Sequence, residues 1–142
     1  MSRPAVDKVA DRLHSAAIHL LRQLRRTDDL SGLSPARLSV LSVLVFAGEK
    51  TLGDLARIEQ VRPPTMTRLV QGLEADGMVR RTSHTPDKRV FRIQASAKGR
   101  RILLGAQQRR LQQLSEMIGQ LQPDEIRTLA SAAELMERLG GR

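Results

Sequence analysis

The chain has no cysteine, no tryptophan and no tyrosine, and its only aromatic residues are Phe46 and Phe91. Without thiols, disulfides, thiolate metal sites and cysteine redox sensing are excluded. Also missing are the aromatic platforms on which single-stranded nucleic acids stack their bases, so a double-stranded partner is the better expectation. No apolar run approaches the roughly 18 residues of a membrane-spanning helix, and no charged-then-apolar leader opens the chain. A cytoplasmic protein with no membrane role is expected. The three histidines have no evident serine or aspartate partners, and the ten glycines form no phosphate-cradling loop. His14 and His19, five residues apart on a helix, point roughly 140° apart and make a poor metal pair. No enzymatic activity, cofactor or metal is expected.

What the chain has in excess is positive charge. Its 142 residues suit one domain with a respectable core. They carry a formal charge of +9, with a pI near 11.4. Between Arg62 and Arg101, ten lysines and arginines face three acids, a local excess of seven in under a third of the chain. An acidic partner is implied, either nucleic acid or an anionic membrane surface. The apolar faces lack the aromatic anchors of membrane-surface helices, which leaves nucleic acid.

The apolar pattern is helical with one short interruption. Val6, Val9, Leu13, Ala16, Ala17, Leu20 and Leu24 predict a first helix from about Ala5 to Arg26, broken by the segment 28–32. Ser34 caps a second, with Pro35 at its first position and Leu38, Leu41, Leu44 and Val45 inward, ending at Gly48. Thr51 and Asp54 form a capping box for a short helix through Glu59, packed by Leu55 and Ile58. Ser96 caps a long helix to about Gln120, with Leu103, Leu104, Leu111, Leu114 and Ile118 near heptad spacing. Pro123 opens the last, with Ile126, Leu129, Ala133, Met136 and Leu139 on one side. The first and last two helices expose more apolar stripe than one small lobe can cover. A homodimer interface is the natural use, and a monomeric helical bundle the alternative.

The stretch from Thr51 to Ile93 carries the functional signal. Pro63 and Pro64 belong in the first turn of a helix and push Arg62 out of it. Met66, Leu69, Val70 and Leu73 form a buried stripe. The opposite face offers Pro64, Thr65, Thr67, Arg68 and Gln71, hydrogen-bonding and basic groups with no acid, suited to a DNA major groove. The alternative is a solvated face that happens to lack acids. The tight turn from the preceding helix makes a helix-turn-helix. Gly77 ends the second helix, and strands at 78–82 and 90–93 bracket the loop 83–89. A hairpin with Lys88 and Arg89 at its tip suits backbone and minor-groove contact, although hairpins also serve as packing support. Enclosed in helices, this hairpin is the wing of a mainly α, winged helix-turn-helix fold.

From Leu52 to Gly99 the sequence resembles the MarR family of winged-helix transcriptional regulators. The resemblance is carried by Leu55-Ala56, Thr67-Arg68-Leu69-Val70, Leu73-Glu74, Gly77-Met78-Val79, Arg81, the triplet Asp87-Lys88-Arg89, Ser96 and Lys98-Gly99. It implies a homodimer on a pseudo-palindromic duplex, with helix 63–76 in the major groove and wing 82–90 in the minor groove. By position, Arg89 is then the minor-groove arginine and Asp87 the acid that holds it. Arg62, Pro64, Thr65, Thr67, Arg68, Gln71, Arg81, Asp87, Lys88 and Arg89 make up the expected DNA-binding set. One MarR-like domain over 1–142 is expected. Its winged lobe covers about 34–95, and 5–28 with 96–139 form a dimerisation lobe. A repressor released by a small anionic or aromatic effector fits the resemblance, with Arg12, Arg22 or Arg25 available to a carboxylate. Ala95 departs from the family's larger aliphatic residue, which is expected to loosen packing under the wing. The rival readings are a helical scaffold or a double-stranded RNA binder without operator specificity.

Overall fold

A computed structural model describes residues 2–83, 86–87 and 90–141. Helix α1 covers Arg3–Arg25 and tightens into a 3-10 segment, Arg26–Ser31, rather than breaking at Asp28. Then come α2 (Pro35–Ala47), β1 (Lys50–Thr51), α3 (Leu52–Ile58), α4 (Pro63–Ala75), β2 (Val79–Thr82), β3 (Arg92–Ala95), α5 (Ala97–Ile118) and α6 (Pro123–Leu139). The architecture is mainly α-helical with a small antiparallel sheet, as expected. The chain forms two compact units, one up to Arg110 and one from Leu111 onward.

The first unit holds the core. Leu38, Val40, Leu41 and Leu44 of α2 pack with Leu55 of α3, Met66, Val70 and Leu73 of α4, Val79, Ile93 and Leu103. Its sheet has the order β1-β3-β2. Lys50 pairs with Ile93, and Val79 pairs with Ala95 at the far end of the hairpin. The sequence predicted two strands. The two-residue β1 is too short for any alternation to mark it, and the second hairpin strand begins two residues later than expected. Ala95 is half-buried against the core.

Ile58 was expected inward and is instead 48 % exposed. The helix ends there, and the turn that follows carries Gln60 at φ 54, a left-handed conformation uncommon outside glycine. The 3-10 segment also holds a surprise. Asp28 is buried, and its Oδ1 lies 3.2 Å from Arg110 Nε. That is an ion contact without good hydrogen-bond alignment.

Around the second unit's α6 the apolar residues Ile126, Leu129, Leu135, Met136 and Leu139 are all exposed, and none of the helix is buried. The Gln122 N–H donates to Glu125 at 2.9 Å across its first turn. Within the first unit, α1 likewise buries only Leu24.

At Gly99 the chain packs directly against backbone. A Cβ there would lie 2.1 Å from the Met78 carbonyl oxygen. Backbone cannot yield as a flexible side chain can, so α5 reaches the hairpin only through glycine. Gly99→Val is expected to destabilise the fold by about 3 kcal/mol or more, as overpacking against a fixed main chain does. Urea unfolding of the variant measures this, and an unchanged midpoint would refute the close approach.

Candidate nucleic-acid interface

Helix α3 is fixed at its start by the capping box the sequence predicts. The Asp54 N–H donates to Thr51 Oγ1 at 3.1 Å, and the Thr51 N–H donates to Asp54 Oδ2 at 3.3 Å. Thr51's hydroxyl and then its N–H lower the Asp54 pKa from its ordinary value, partly opposed by desolvation, with the least help from Arg57 and Arg92. Arg57 also pairs directly with Asp54. A turn through Gln60, closed by the Val61 N–H on the Ala56 carbonyl at 3.0 Å, leads into α4.

Arg62 is extended at the N-cap (φ −70°, ψ 147°), and Pro63 and Pro64 occupy the first turn. Met66, Val70 and Leu73 are fully buried. That anchors the opposite face, where Arg62, Pro64, Thr65, Arg68 and Gln71 are exposed. Among the described residues, neither Arg62 nor Arg68 has a salt bridge. Thr67 differs from expectation. It is half-buried, and its hydroxyl donates to the Pro63 carbonyl at 3.0 Å, which leaves it an acceptor only.

Arg81 also stands apart from the α4 group. Its Nε donates to Glu74 at 3.1 Å, and its guanidinium lies 4.4 Å from the centroid of the Phe91 ring. Held this way, it ties the hairpin to α4. Arg80 is occupied across the strands, donating to Gln94 Oε1 at 3.1 and 3.2 Å. Asp87 is exposed and has interactions of its own. His84, Lys88 and Arg89, and with Arg89 its expected pairing to Asp87, lie outside the described residues.

The far end of α4 is closed at Gly77, as the sequence predicts, and by contacts from α2 and α5 that it does not. Gly77 takes φ 71°, and the Met78 N–H reaches the Leu73 carbonyl at 2.8 Å. Ser96 Oγ donates to the Gly77 carbonyl at 2.6 Å, and Lys98 Nζ to the Asp76 carbonyl at 2.9 Å. From α2, Arg37 Nη1 reaches Asp76 Oδ2 at 2.9 Å. No local pattern signals a pair 39 residues apart.

The lowered Asp54 pKa has a definite sign. A carboxyl depressed on folding contributes stability above its unfolded value, and that contribution is lost as pH falls through the folded value. The stability difference between the wild type and Asp54→Asn should therefore be full at neutral pH. It should shrink below about pH 4, near the ordinary carboxylate range. Denaturant titrations at several pH values test it, and a pH-independent difference would sink the assignment.

Comparison with known proteins bears on this geometry. A protein-family model described as MarR family matches residues 33–91. An uncharacterized HTH-type transcriptional regulator of Mycobacterium bovis is 37% identical over 129 residues, covering 91% of this chain and 90% of its own length. The structure of a MarR family protein from Bacillus stearothermophilus has a TM-score of 0.82 at 23% identity, covering 100% of this chain and 99% of its own. The structure of NadR in complex with 4-hydroxyphenylacetate has a TM-score of 0.65 at 20% identity, covering 89% of this chain and 91% of its own. With its winged helix-turn-helix built on α3, α4 and the hairpin, the chain belongs to the MarR family of transcriptional regulators.

Proposed function

We propose that the protein is a homodimeric, sequence-specific regulator that binds a pseudo-palindromic duplex operator and represses transcription in the cytoplasm. The observation that carries this reading is the leading face of α4. Arg62, Pro64, Thr65, Arg68 and Gln71 are exposed there, the two arginines have no acid partner among the described residues, and the helix beneath is anchored by buried Met66, Val70 and Leu73. Such a face offers donors and acceptors to base edges and cations to phosphates. Exposed apolar residues on α1 and on α6 support a second copy as their cover. The dimerisation lobe is thus assigned to 5–28 and 96–139 and the reading lobe to 34–95. Two-fold symmetry then places the α4 helices on half-sites about one helical turn, roughly 34 Å, apart.

Wing and helix have different tasks in this mechanism. Lys88 and Arg89, with Asp87 to hold the arginine, meet the backbone and the minor groove, where a narrow groove concentrates negative potential. Thr65, Thr67, Arg68 and Gln71 choose the sequence, Thr67 as an acceptor. Arg81 acts through Glu74 and Phe91 by keeping the hairpin on α4.

Arg89→Ala should weaken binding to operator and random duplex alike and reduce the salt slope by about one per subunit. Gln71→Ala should leave that slope unchanged and relax base choice at one position in each half-site. Salt-dependent titration and selection from a random duplex library separate the two. Normal operator binding by Arg89→Ala at moderate salt would exclude the wing role.

A small anionic effector is a second element of the proposal. Arg25 and Arg110 line a cleft of about 160 Å³ with Asp28, Ser39 and Ser42. The fold is shared with NadR, whose structure holds 4-hydroxyphenylacetate. Small aromatic acids should raise the thermal midpoint and lower operator affinity, and Arg25→Ala should abolish both effects. A midpoint unmoved by any such acid would exclude the effector.

A further inference from the structure

We propose that Arg37 is the positioning residue that sets the angle of α4 on its lobe, and that Gly72 is the seat built for it. This rests on the operator-binding reading above and adds a residue outside the reading face.

Arg37 leaves α2 in its first turn, where its N–H donates to the Ser34 cap hydroxyl at 3.3 Å. Its guanidinium then crosses to α4. A Cβ built on Gly72 would lie 2.1 Å from Arg37 Nη2, 2.7 Å from Cζ and 3.0 Å from Nε. The guanidinium therefore occupies the space a Cβ at 72 would take, its Nη2 nearest. A side chain at 72 would have to displace it. The same guanidinium donates through Nη1 to Asp76 Oδ2 at 2.9 Å, one turn further along. Both partners are partly exposed, at 32 % and 47 %, so the pair is a geometric link rather than a store of stability.

Two features of α4 make sense only with Arg37 in place. Glycine is a poor residue for a helix interior, and Gly72 lies well inside a helix that runs Pro63–Ala75. An aspartate at a helix C-terminus faces the negative end of the dipole, and Asp76 is the C-cap. Arg37 occupies the space the glycine leaves and neutralises the aspartate. Residue 76 is then gripped twice, its carboxylate from α2 by Arg37 and its carbonyl from α5 by Lys98. Rotation of α4 about its axis would break the first grip, and sliding along the axis would break the second. A guanidinium suits this role because its rigid plane fixes direction where an ammonium would not.

The test uses the full-length dimer with Arg37→Ala, Gly72→Ala and the double variant. Without DNA, Gly72→Ala should leave the thermal midpoint of the wild type nearly unchanged, the gain in helix propensity being offset by the displaced Arg37 contact. In the Arg37→Ala background the same change should raise it by a few degrees, because alanine is then free to improve the helix. On DNA, Arg37→Ala and Gly72→Ala should each weaken operator binding about tenfold, within the range for directly contacting residues. The salt slope should not change, and the tolerated half-site separations should broaden. Gly72→Ala keeps every charge, so it carries the DNA arm even if Arg37→Ala folds poorly.

A salt slope reduced by about one per subunit in Arg37→Ala would make Arg37 a phosphate contact and overturn the proposal. Additive midpoint changes, or unchanged affinity and spacing, would overturn it as well. A wild type that binds no duplex would defeat the operator reading and the positioning role together, while the midpoint cycle would still judge the Gly72 seat.

Discussion

The lobe depends on how the last turn of α4 is closed. A helix leaves its final carbonyls without partners; here the N–H groups of Gly77 and Met78 take those of Glu74 and Leu73, and groups at the start of α5 reach the carbonyls just beyond. Ser96 and Lys98, at the start of α5, take the carbonyls of Gly77 and Asp76, and the Ser96 N–H takes that of Met78 at 2.9 Å. Gly99 permits this because its missing Cβ lets α5 touch the Met78 carbonyl. Helix α4, the hairpin and α5 therefore meet at one knot of hydrogen bonds to main-chain carbonyls. The direction of the hairpin and the tilt of α4 are fixed by the same few atoms.

That knot connects chain segments with very different exposure. In the core, Leu41, Leu55, Met66, Leu73 and Ile93 have no solvent contact. Helices α1 and α6 each carry exposed leucines and isoleucines along much of their length. Burial of apolar area at roughly 25 cal/mol per Å² rewards the core, and the exposed residues of α1 and α6 forgo most of that gain within the chain.

Local chemistry made most of the lobe legible in the sequence. Ser34, the Thr51–Asp54 box, the Pro63-Pro64 pair and Gly77 each act within a few residues, so their positions announced the helix ends. Met66, Val70 and Leu73 repeat at helical spacing and were buried as read. What was hidden involved long range or short length. Lys50–Thr51 is too brief for a strand pattern, and it exists because β3 lies beside it. Ile58 kept helical spacing but falls where α3 ends, so the period ran one residue too far. The burial of Asp28 depends on Arg110, eighty-odd positions later, and no aspartate in a polar turn advertises such a partner.

Arg81 shows how a family pattern and a structure divide the work of naming a site. A basic residue after the Gly77-Met78-Val79 turn matches the resemblance and was grouped with the DNA contacts. In the fold its guanidinium is satisfied by Glu74 and by the face of Phe91, one of only two aromatic rings in the chain. Releasing it to a phosphate would cost both contacts, whereas Arg62 and Arg68 have no ion pair to give up among the described residues. Positive charge in this lobe is thus of two kinds. Arg37, Arg57, Arg81 and Arg92 face acids, Arg57 within α3 and the others between elements. Arg62 and Arg68 remain available to an outside anion. Net charge alone cannot separate the kinds, because both count equally toward +9. The pairing does, and among the described residues it leaves Arg62 and Arg68, at and beyond the start of α4, without an acid.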